Sequence, residues 1–432
     1  MNSISRRKVI STSFIAAAGS LAIRSSSASP NEKVTVAVVG VNGRGNTLAR
    51  YLAERSDTRI GALCDVDQGV RERAAQTVLK VSGQRPKLVA DFRHLLDDKT
   101  IDALVLATPH HWHVPMALPA LEAGKDLYIE KPASHVFREG RILIEAAKKH
   151  HRIVQHGGQT RSSKVTEKAA EILASGLLGE IKMTKAWNIQ RVQPQQPKPD
   201  SEPPPGVDYD MWLGPAPKRP FNPNRFHRVW RPYRDYGNGD LGDDGAHDID
   251  IARWALGVKT HPSRITAHGS TIDLQGEREF PDNMMIAYHY GEGKVLLYED
   301  RLWTPYGMHG FDSGNAFYGT EGYMIFSRRQ YLRVYLGKNE TKGPGMGPDG
   351  LPSPTRLHLG NFIESVRSRQ QPITPAEEAH LSCGLIHLGE TAYRVGRVLR
   401  FDPATEQVKN DPEANALLTK KYRAPWSVPE HA

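Results

Sequence analysis

Three side chains in this sequence are of types that can act together on an alcohol. Lys131 stands in the segment Glu130-Lys131-Pro132, and Asp243 and His247 lie four residues apart. Removing a hydride from a secondary alcohol requires a base for the hydroxyl proton, and an imidazole such as His247 suits that task. Lys131 would bring positive charge to the developing alkoxide, and Asp243 would orient the imidazole or hold a neighbouring hydroxyl. A helix through both would put Asp243 and His247 on one face; the alternative is an N-cap followed by a buried histidine.

The elements that could position these side chains begin with a buried strand and a glycine-rich turn. Residues 34–39 form an apolar, mostly β-branched run, which predicts a strand buried on both faces of a parallel sheet. The turn GVNGRG follows at residues 40–45, then a predicted helix at 46–55 and a second strand at 59–64 that ends at Asp65. This order within about thirty residues is typical of a dinucleotide-binding fold.

The residues of the turn have separate predicted roles. Gly40 permits a tight turn, Gly45 lets the helix pack close to the sheet, and the free N–H groups at the helix N-terminus would bind a pyrophosphate. Asn42 stands where the usual pattern has its second glycine. Asparagine tolerates a left-handed backbone, and Gly43 adds freedom beside it. With Arg44, these residues form a variant of the cofactor-binding turn.

Asp65 decides between the two nicotinamide cofactors. A carboxylate at the end of the second strand accepts hydrogen bonds from the adenosine ribose hydroxyls and repels a 2′-phosphate. The predicted cofactor is therefore NAD rather than NADP. Arg44 and Arg71 are the residues that could reverse this preference.

The rest of the N-terminal part alternates strands with helices. Four further strands are predicted, at residues 87–89, 103–107, 127–129 and 153–154. The alternation predicts a doubly wound parallel sheet, whose ligands bind off the carboxyl ends of the strands. Thr108-Pro109, Glu130-Lys131-Pro132 and residues 156–159 all follow strands, so we expect them to share one rim.

At Glu130-Lys131-Pro132 the sequence resembles the Gfo/Idh/MocA family of oxidoreductases, and the resemblance extends from Val34 to about Arg400. Four more segments carry it: Thr108-Pro109 with His113, Gln159-Thr160-Arg161, residues 208–217 with Trp-Leu-Gly-Pro, and residues 239–254 with Asp-x-x-x-His.

The resemblance implies a role for each matching residue. Lys131, Asp243 and His247 would be catalytic. The cofactor would be held by Gly40, Asn42, Gly43, Arg44, Gly45, Asp65, Thr108, Pro109, His113, Glu130 and Lys131. The substrate would be contacted by Gln159, Arg161, Asp243 and His247.

The chain after the Rossmann pattern is predicted to form an α+β domain with a large, mostly antiparallel open sheet. Alternating stretches at 181–189, 284–290 and 294–298 indicate strands. The resemblance implies that this sheet covers the substrate and mediates a homodimer or homotetramer. Ten prolines between Pro194 and Pro223 predict an irregular insertion. That insertion could wall the substrate pocket, wrap the surface or contact another subunit.

Composition excludes some function classes. The formal charge is +9, and four leader cations without a leader acid bring the remaining chain near +5. No dense basic run occurs, so nucleic-acid binding is not expected. Cys64 and Cys383 are interpreted as core thiols. No carboxylate or cysteine clusters near residues 110–113, so no metal site is predicted in that histidine-rich loop.

The N-terminus has the order of an export signal. Arg6, Arg7 and Lys8 precede an apolar run to Ile23, and residues 26–28 offer small side chains for cleavage. The run is shorter than the roughly 20 residues that span a bilayer. A twin-arginine signal is an address, which predicts export of the folded protein through the twin-arginine translocase to the periplasm. A disordered basic tail is the alternative.

Three domains are predicted: a signal peptide at residues 1–29, an NAD-binding Rossmann domain at 30–155 and a substrate and oligomerisation domain at 156–432. The leading function is an exported NAD-dependent oxidoreductase acting on a secondary hydroxyl of a sugar, glycoside or cyclitol, with NAD tightly bound. One alternative is an NAD-dependent glycosidase of the glycoside hydrolase family 109 type. Another is a non-catalytic, NAD-containing sugar-binding protein.

Export depends on the arginine pair in this interpretation. Replacing Arg6 and Arg7 together with lysine should trap the precursor in the cytoplasm, because the translocase reads the two arginines and not merely their charge. Cell fractionation measures the result, and Arg24→Lys is the matched control in the same leader. Unchanged periplasmic recovery of the double variant would contradict the signal.

Overall fold

The computed structural model describes residues 33–274 and 276–432. The predicted signal peptide at residues 1–29 lies outside this part of the chain. None of the helices in the described ranges combines the length and the hydropathy that a bilayer crossing requires.

The first sheet is formed by the predicted Rossmann pattern. Its six parallel strands are β1 (Val34–Val39), β2 (Thr58–Cys64), β3 (Lys87–Val89), β4 (Ala103–Leu106), β5 (Asp126–Ile129) and β6 (Val154–His156). They lie in the order β3-β2-β1-β4-β5-β6. The chain reverses its direction of travel across the sheet between β3 and β4, which leaves a crevice at the carboxyl ends of β1 and β4.

The central strand β1 is buried on both faces. Val36 and Val38 belong to one apolar cluster, and Ala37 and Val39 belong to another on the opposite face. Side chains alternate along a strand, so an uninterrupted apolar run is what a sheet covered by helices on both sides requires.

The second sheet has ten strands: β7 (Ile181–Ile189), β8 (Arg264–Ser270), β9 (Asn283–His289), β10 (Val295–Arg301), β11 (Ser313–Gly319), β12 (Gly322–Ser327), β13 (Tyr331–Leu336), β14 (Thr341–Met346), β15 (Leu399–Asp402) and β16 (Gln407–Val408). Their order is β14-β13-β12-β11-β7-β10-β9-β8-β15-β16, and only β7 and β10 pair in parallel. The predicted α/β class, with a doubly wound sheet and a mostly antiparallel second sheet, is confirmed.

The helices of the described ranges are α1 (Arg44–Ala53), α2 (Gln68–Ser82), α3 (Arg93–Leu96), α4 (His113–Glu122), α5 (Phe137–Lys149), α6 (Lys164–Ala174), α7 (Tyr209–Leu213), α8 (Gly239–Gly242), α9 (Gly245–Leu256), α10 (Pro354–Ser368), α11 (Ala376–Val395) and α12 (Pro412–Ala416). Helices α9 and α11 share an apolar cluster with β9 and β10. In β9 the buried Met284, Ile286 and Tyr288 alternate with Met285, which is exposed. One face of the large sheet is therefore covered and the other is open at this strand.

The proline-rich insertion, taken together with the loop that continues it to residue 236, has an aromatic core of its own. Its buried rings are Trp212, Phe221, Phe226, Trp230, Tyr233 and Tyr236. Near the C-terminus, the Trp426 ring packs edge-on against Trp112 with 4.7 Å between centroids. The insertion and the C-terminal segment also meet, because Arg423 forms an ion pair with Asp210.

Several boundaries differ from the sequence-based expectation. The sequence predicts a helix over residues 376–400, but α11 ends at Val395, because Gly396 adopts a left-handed conformation with φ 65° and caps it. Residues 399–402 form a strand instead. The sequence also predicts a Gly/Pro-rich loop over residues 343–354, but its first residues lie in β14, an edge strand that tolerates its glycines and Pro344. The predicted domain limits themselves stay predictions.

Candidate active site

A cavity of about 590 Å³ opens at the carboxyl ends of the parallel strands. Twelve of the predicted site residues line it: Gly40, Asn42, Gly43, Arg44, Asp65, Thr108, Pro109, Glu130, Lys131, Gln159, Asp243 and His247. Gly45, His113 and Arg161 do not line it.

Two glycines of the glycine-rich turn lie so close to neighbouring backbone that a side chain would collide with it. A Cβ on Gly40, which has φ 78°, would lie 2.7 Å from the carbonyl oxygen of Ala107. A Cβ on Gly45 would lie 1.8 Å from the carbonyl oxygen of Gly40, so Gly45 acts through close packing of α1 on the strand. The left-handed residues are Gly40 and Gly43, whereas Asn42 has no positive φ. The tolerance of asparagine for a left-handed backbone is therefore not used here.

Asp65 is held by backbone N–H groups at the end of β2. Its carboxylate accepts hydrogen bonds from Val41 N at 2.8 Å and from Asp67 N at 3.1 Å. Burial raises the pKa of Asp65, while these two hydrogen bonds lower it, and the net direction is upward. Arg71 donates to the backbone oxygen of Asp65. Arg44 is engaged with Glu130, so both arginines that could receive a 2′-phosphate are already bonded.

These features fit a dinucleotide. At Gly40 the turn passes too close to Ala107 for a side chain, α1 has Gly43 as its N-cap and no acidic residue in its first turn, and Asp65 lies in the same cavity. A helix N-terminus without nearby carboxylates suits a pyrophosphate. The turn and Asp65 are the residues that would hold NAD.

Glu130 and Arg44 form an ion pair beside the turn. Arg44 Nε lies 2.7 Å from Glu130 Oε1, and Tyr128 donates to the same oxygen at 3.4 Å. Burial alone would raise the pKa of Glu130, but the charges of Arg44 and Lys131 outweigh it and lower that pKa. Glu130 is therefore a carboxylate that fixes Arg44 at the cavity wall.

Asp243 lies between two cations. Lys131 Nζ donates to the Asp243 carboxylate and, at 2.8 Å, to its backbone oxygen. On the other side, Arg231 Nε lies 2.6 Å from Asp243 Oδ2. Burial would raise the pKa of Asp243, but Lys131 and Arg231 hold it well below its ordinary value. Asp243 is thus an anion at every physiological pH.

His247 faces the same cavity from the first turn of α9. It is 7% exposed, and its Nδ1 has no hydrogen-bond partner among the residues of the described ranges. Burial, and then the charges of Lys131 and Arg328, lower the pKa of His247 well below its ordinary value. The imidazole is therefore neutral and can accept a proton.

The expectation that Asp243 and His247 share one helix face is wrong in detail. Helix α8 ends at Gly242, α9 begins at Gly245, and Asp243 connects them with φ −91° and ψ −93°. The two side chains meet in the cavity because the chain turns between the helices. The turn also frees the backbone oxygen of Asp243 to accept from Lys131.

The histidines of the 110–113 loop differ from one another. His110 lines the cavity, and its Nδ1 lies 3.1 Å from Asn238 Oδ1. His113 is buried behind the cavity, with its ring nitrogens 2.7 Å from Pro132 O and 3.0 Å from Thr108 O. The predicted cofactor residue His113 therefore bridges the two loops that carry Thr108 and Lys131.

Arg161, implied as a substrate contact, lies outside the cavity. Its guanidinium forms ion pairs with Asp250 at 3.0 Å and with Glu378 at 3.2 Å. Its neighbour Gln159 does line the cavity, and Gln159 Oε1 is buried without a partner in the part of the chain that the structure describes. Of this motif, only Gln159 is available to a ligand.

Among the cations that sequence reasoning missed, two pair with carboxylates of the site. Arg231 comes from the irregular insertion, and Arg328 follows β12, where its Nη1 lies 3.0 Å from Asp244 Oδ1. Burial raises the pKa of the neighbouring Asp248 to about 8, against the opposing effect of Arg328. No local motif surrounds either arginine, so spacing carried no signal for them.

Comparison with known proteins agrees with this geometry. Residues 34–157 match the model described as oxidoreductase family, NAD-binding Rossmann fold. Residues 167–303 and 346–428 match the model of the oxidoreductase family C-terminal alpha/beta domain. The two matches together cover most of the chain.

Curated relatives match over a shorter stretch. A glycosyl hydrolase family 109 protein of Stenotrophomonas maltophilia (strain K279a) is 34% identical over 130 residues, which is 29% of each chain. An alpha-N-acetylgalactosaminidase of Shewanella oneidensis is 25% identical over 166 residues, or 38% of this chain and 36% of that protein. The matched region thus spans well under half the length of these relatives.

Solved structures share the fold over nearly their whole length. Levoglucosan dehydrogenase in complex with NADH and levoglucosan has a TM-score of 0.66 at 18% identity and covers 85% of this chain and 99% of its own. Aldose-aldose oxidoreductase from Caulobacter crescentus, complexed with glycerol, has a TM-score of 0.67 at 18% identity, with 86% and 100% covered. With both family models matched in order along one chain, this protein belongs to the Gfo/Idh/MocA family of NAD-binding oxidoreductases.

Proposed function

We propose that this protein oxidises a secondary hydroxyl of a sugar, glycoside or cyclitol by hydride transfer to NAD. The observation that carries the proposal is the meeting of Lys131, Asp243 and His247 in the cavity that contains the glycine-rich turn. The sugar-related names of the structural neighbours support the substrate class.

His247 and Lys131 have different roles at the substrate hydroxyl. Bound NAD supplies the hydride acceptor. The ring of His247, which lines the cavity and is held in its neutral form, takes the hydroxyl proton. Lys131 donates two of the three N–H groups of its ammonium to Asp243, which leaves one to donate to the substrate oxygen. Its positive charge stabilises that oxygen as the proton leaves.

Asp243 and Arg231 keep this arrangement in place. Because Asp243 stays ionised between two cations, it holds Lys131 at one position. Arg231 pairs with Oδ2 of the carboxylate, which leaves Oδ1 to accept from Lys131. We assign Arg231 as a positioning residue.

A glycosidase of the family 109 type is the second candidate, favoured by the 34% identity to one such protein. In that reaction the sugar is oxidised transiently, a base removes the proton from the neighbouring carbon, the aglycone leaves, water adds and the hydride returns. His247 and Lys131 would serve both reactions. A non-catalytic sugar-binding protein has no use for a neutral base and a cation on one oxygen.

Two further proposals concern the setting of the enzyme. We propose that the folded protein is exported with NAD bound, on the twin-arginine order of residues 5–8. We also propose that it forms a homodimer or homotetramer, on the open face of the large sheet around Met285.

The catalytic cycle can be tested with purified protein in heavy water. Supplied with free sugars and with aryl glycosides, a paired oxidoreductase should make one oxidised and one reduced sugar while NAD stays bound. The glycosidase would instead release the aglycone without net redox change and introduce deuterium into the sugar. Turnover that requires added NAD and accumulates free NADH would show that NAD does not stay bound and is not regenerated in place.

The two residues that act on the reacting oxygen should each be essential to chemistry. Lys131→Met and His247→Asn should leave NAD bound yet slow single-turnover hydride transfer by about 10²–10⁴-fold, the usual contribution of general acid–base groups. Lys164→Met, which is partly exposed, and His268→Asn, which is exposed, both lie outside the cavity and are the matched controls. Wild-type transfer in either site variant would remove the role assigned to that residue.

Asp65 should control the choice of cofactor. Asp65→Ser removes the charge that repels a 2′-phosphate, so the ratio of NADP to NAD affinity should rise about tenfold, equivalent to about 1.4 kcal/mol. Fluorescence titration of apoprotein measures both affinities, with the exposed Asp97→Ser as control. Tighter binding of NADP than of NAD by the unmodified protein would be the contrary result.

A further inference from the structure

Part of the insertion lies along the cofactor cavity, and we call residues 206–236 the covering segment. Its first anchor is at the end of β2. Gln68 N donates to Gly206 O at 3.0 Å, and Asp208 N donates to Val66 O at 3.1 Å. His227 Nε2 lies 3.0 Å from Asp67 Oδ2. The covering segment is therefore fastened two residues beyond Asp65.

The second anchor is at the reacting end of the cavity. Arg231 pairs with Asp243, and the ring of Trp230 meets His110 edge-on with 4.7 Å between centroids. Residues 227–231 thus run from the neighbourhood of Asp65 to the group that holds Lys131. All but Val229 of these five residues line the cavity.

Arg228 lies between the two anchors. It is exposed, it lines the cavity, and its guanidinium has no ion pair or hydrogen bond with any residue in the described ranges. Every other lysine or arginine that lines the cavity has a carboxylate partner: Arg44 with Glu130, Lys131 and Arg231 with Asp243, and Arg328 with Asp244. Arg228 is therefore free to pair with an anion from outside the chain.

The middle of the cofactor provides that anion. In a Rossmann fold, the carboxylate of Asp65 marks the adenosine ribose, while Lys131 and His247 mark the reacting end. Between these ends lies the pyrophosphate, which carries two negative charges and belongs at the N-terminus of α1. The first turn of α1 contributes Arg44 as its cation, but Glu130 already neutralises it.

We propose that Arg228 binds the pyrophosphate of NAD, so that the covering segment retains the cofactor between turnovers. This inference rests on NAD binding and not on the sugar chemistry proposed above. Arg228 would hold the phosphate, and the segment that carries Arg228 is anchored at both ends. Arg228 would therefore have to release the phosphate before the cofactor could leave. The insertion would then be the element that makes NAD a resident group.

The test follows release of the fluorescent reduced cofactor. Protein loaded with NADH is mixed with excess NAD, and the decay of bound NADH fluorescence gives the dissociation rate. Arg228→Gln should release NADH at least about tenfold faster, in line with the loss of one charge-assisted hydrogen bond. Its release should also depend less on salt concentration. Arg264→Gln, which removes an exposed arginine outside the cavity, should release NADH at the unmodified rate.

A competition experiment locates the contact on the cofactor. ADP-ribose contains the pyrophosphate and adenosine does not. After correction for the weaker binding of NADH by the variant, Arg228→Gln should therefore raise the dissociation constant of ADP-ribose obtained from displacement of NADH and leave that of adenosine unchanged. For Arg228→Lys, which keeps the charge, the affinity for ADP-ribose should lie between that of the unmodified protein and that of Arg228→Gln. NADH release within twofold of the unmodified rate, or equal weakening for ADP-ribose and adenosine, would overturn the proposal. Neither measurement involves a sugar, so failure here is distinct from failure of the proposed reaction.

Discussion

The carboxylate of Asp243 is the point on which the site depends. Lys131 comes from the end of a Rossmann strand, Arg231 from the insertion, and Asp243 itself from the turn between two helices of the C-terminal part. Three stretches that are far apart in sequence are thus joined by one anion. Each of the three stretches is therefore held in place by the other two.

A second buried group of charges supports the site from behind. Arg161 pairs with Asp250 and Glu378, and Arg253 pairs with Glu378 as well. Arg161 lies two residues from Gln159, and Asp250 lies three residues from His247. The ion pair between Arg161 and Asp250 therefore sets the distance between two cavity-lining residues without touching a ligand. Arg161, which the family resemblance implied as a substrate contact, therefore supports the site structurally in this protein.

The local motifs could be predicted from the sequence, whereas the long-range contacts could not. The glycine-rich turn, Asp65 and Lys131 are each recognisable within a short stretch, because strand ends and tight turns have strong residue preferences. Arg231 and Arg328 reach the cavity through the folding of distant loops, which leaves no periodicity or spacing to read.

Most strands of the large sheet escaped prediction for a similar reason. β11 reads SGNAFYG and places Asn315 in the interior, where its Nδ2 donates to Asp248 O at 2.7 Å. β14 reads TKGPGM and lies at the edge of the sheet. Neither shows the alternation of apolar and polar residues on which strand prediction relies, because tertiary contacts and an edge position replace it.

The contact between Trp426 and Trp112 has a consequence for the order of events in biosynthesis. Trp112 lines the cavity, and a ring more than three hundred residues later packs against it. The wall of the cofactor site is therefore finished only after residue 426 has left the ribosome. Capture of the dinucleotide in its final surroundings therefore follows the synthesis of that residue, and a chain interrupted before it would lack this contact.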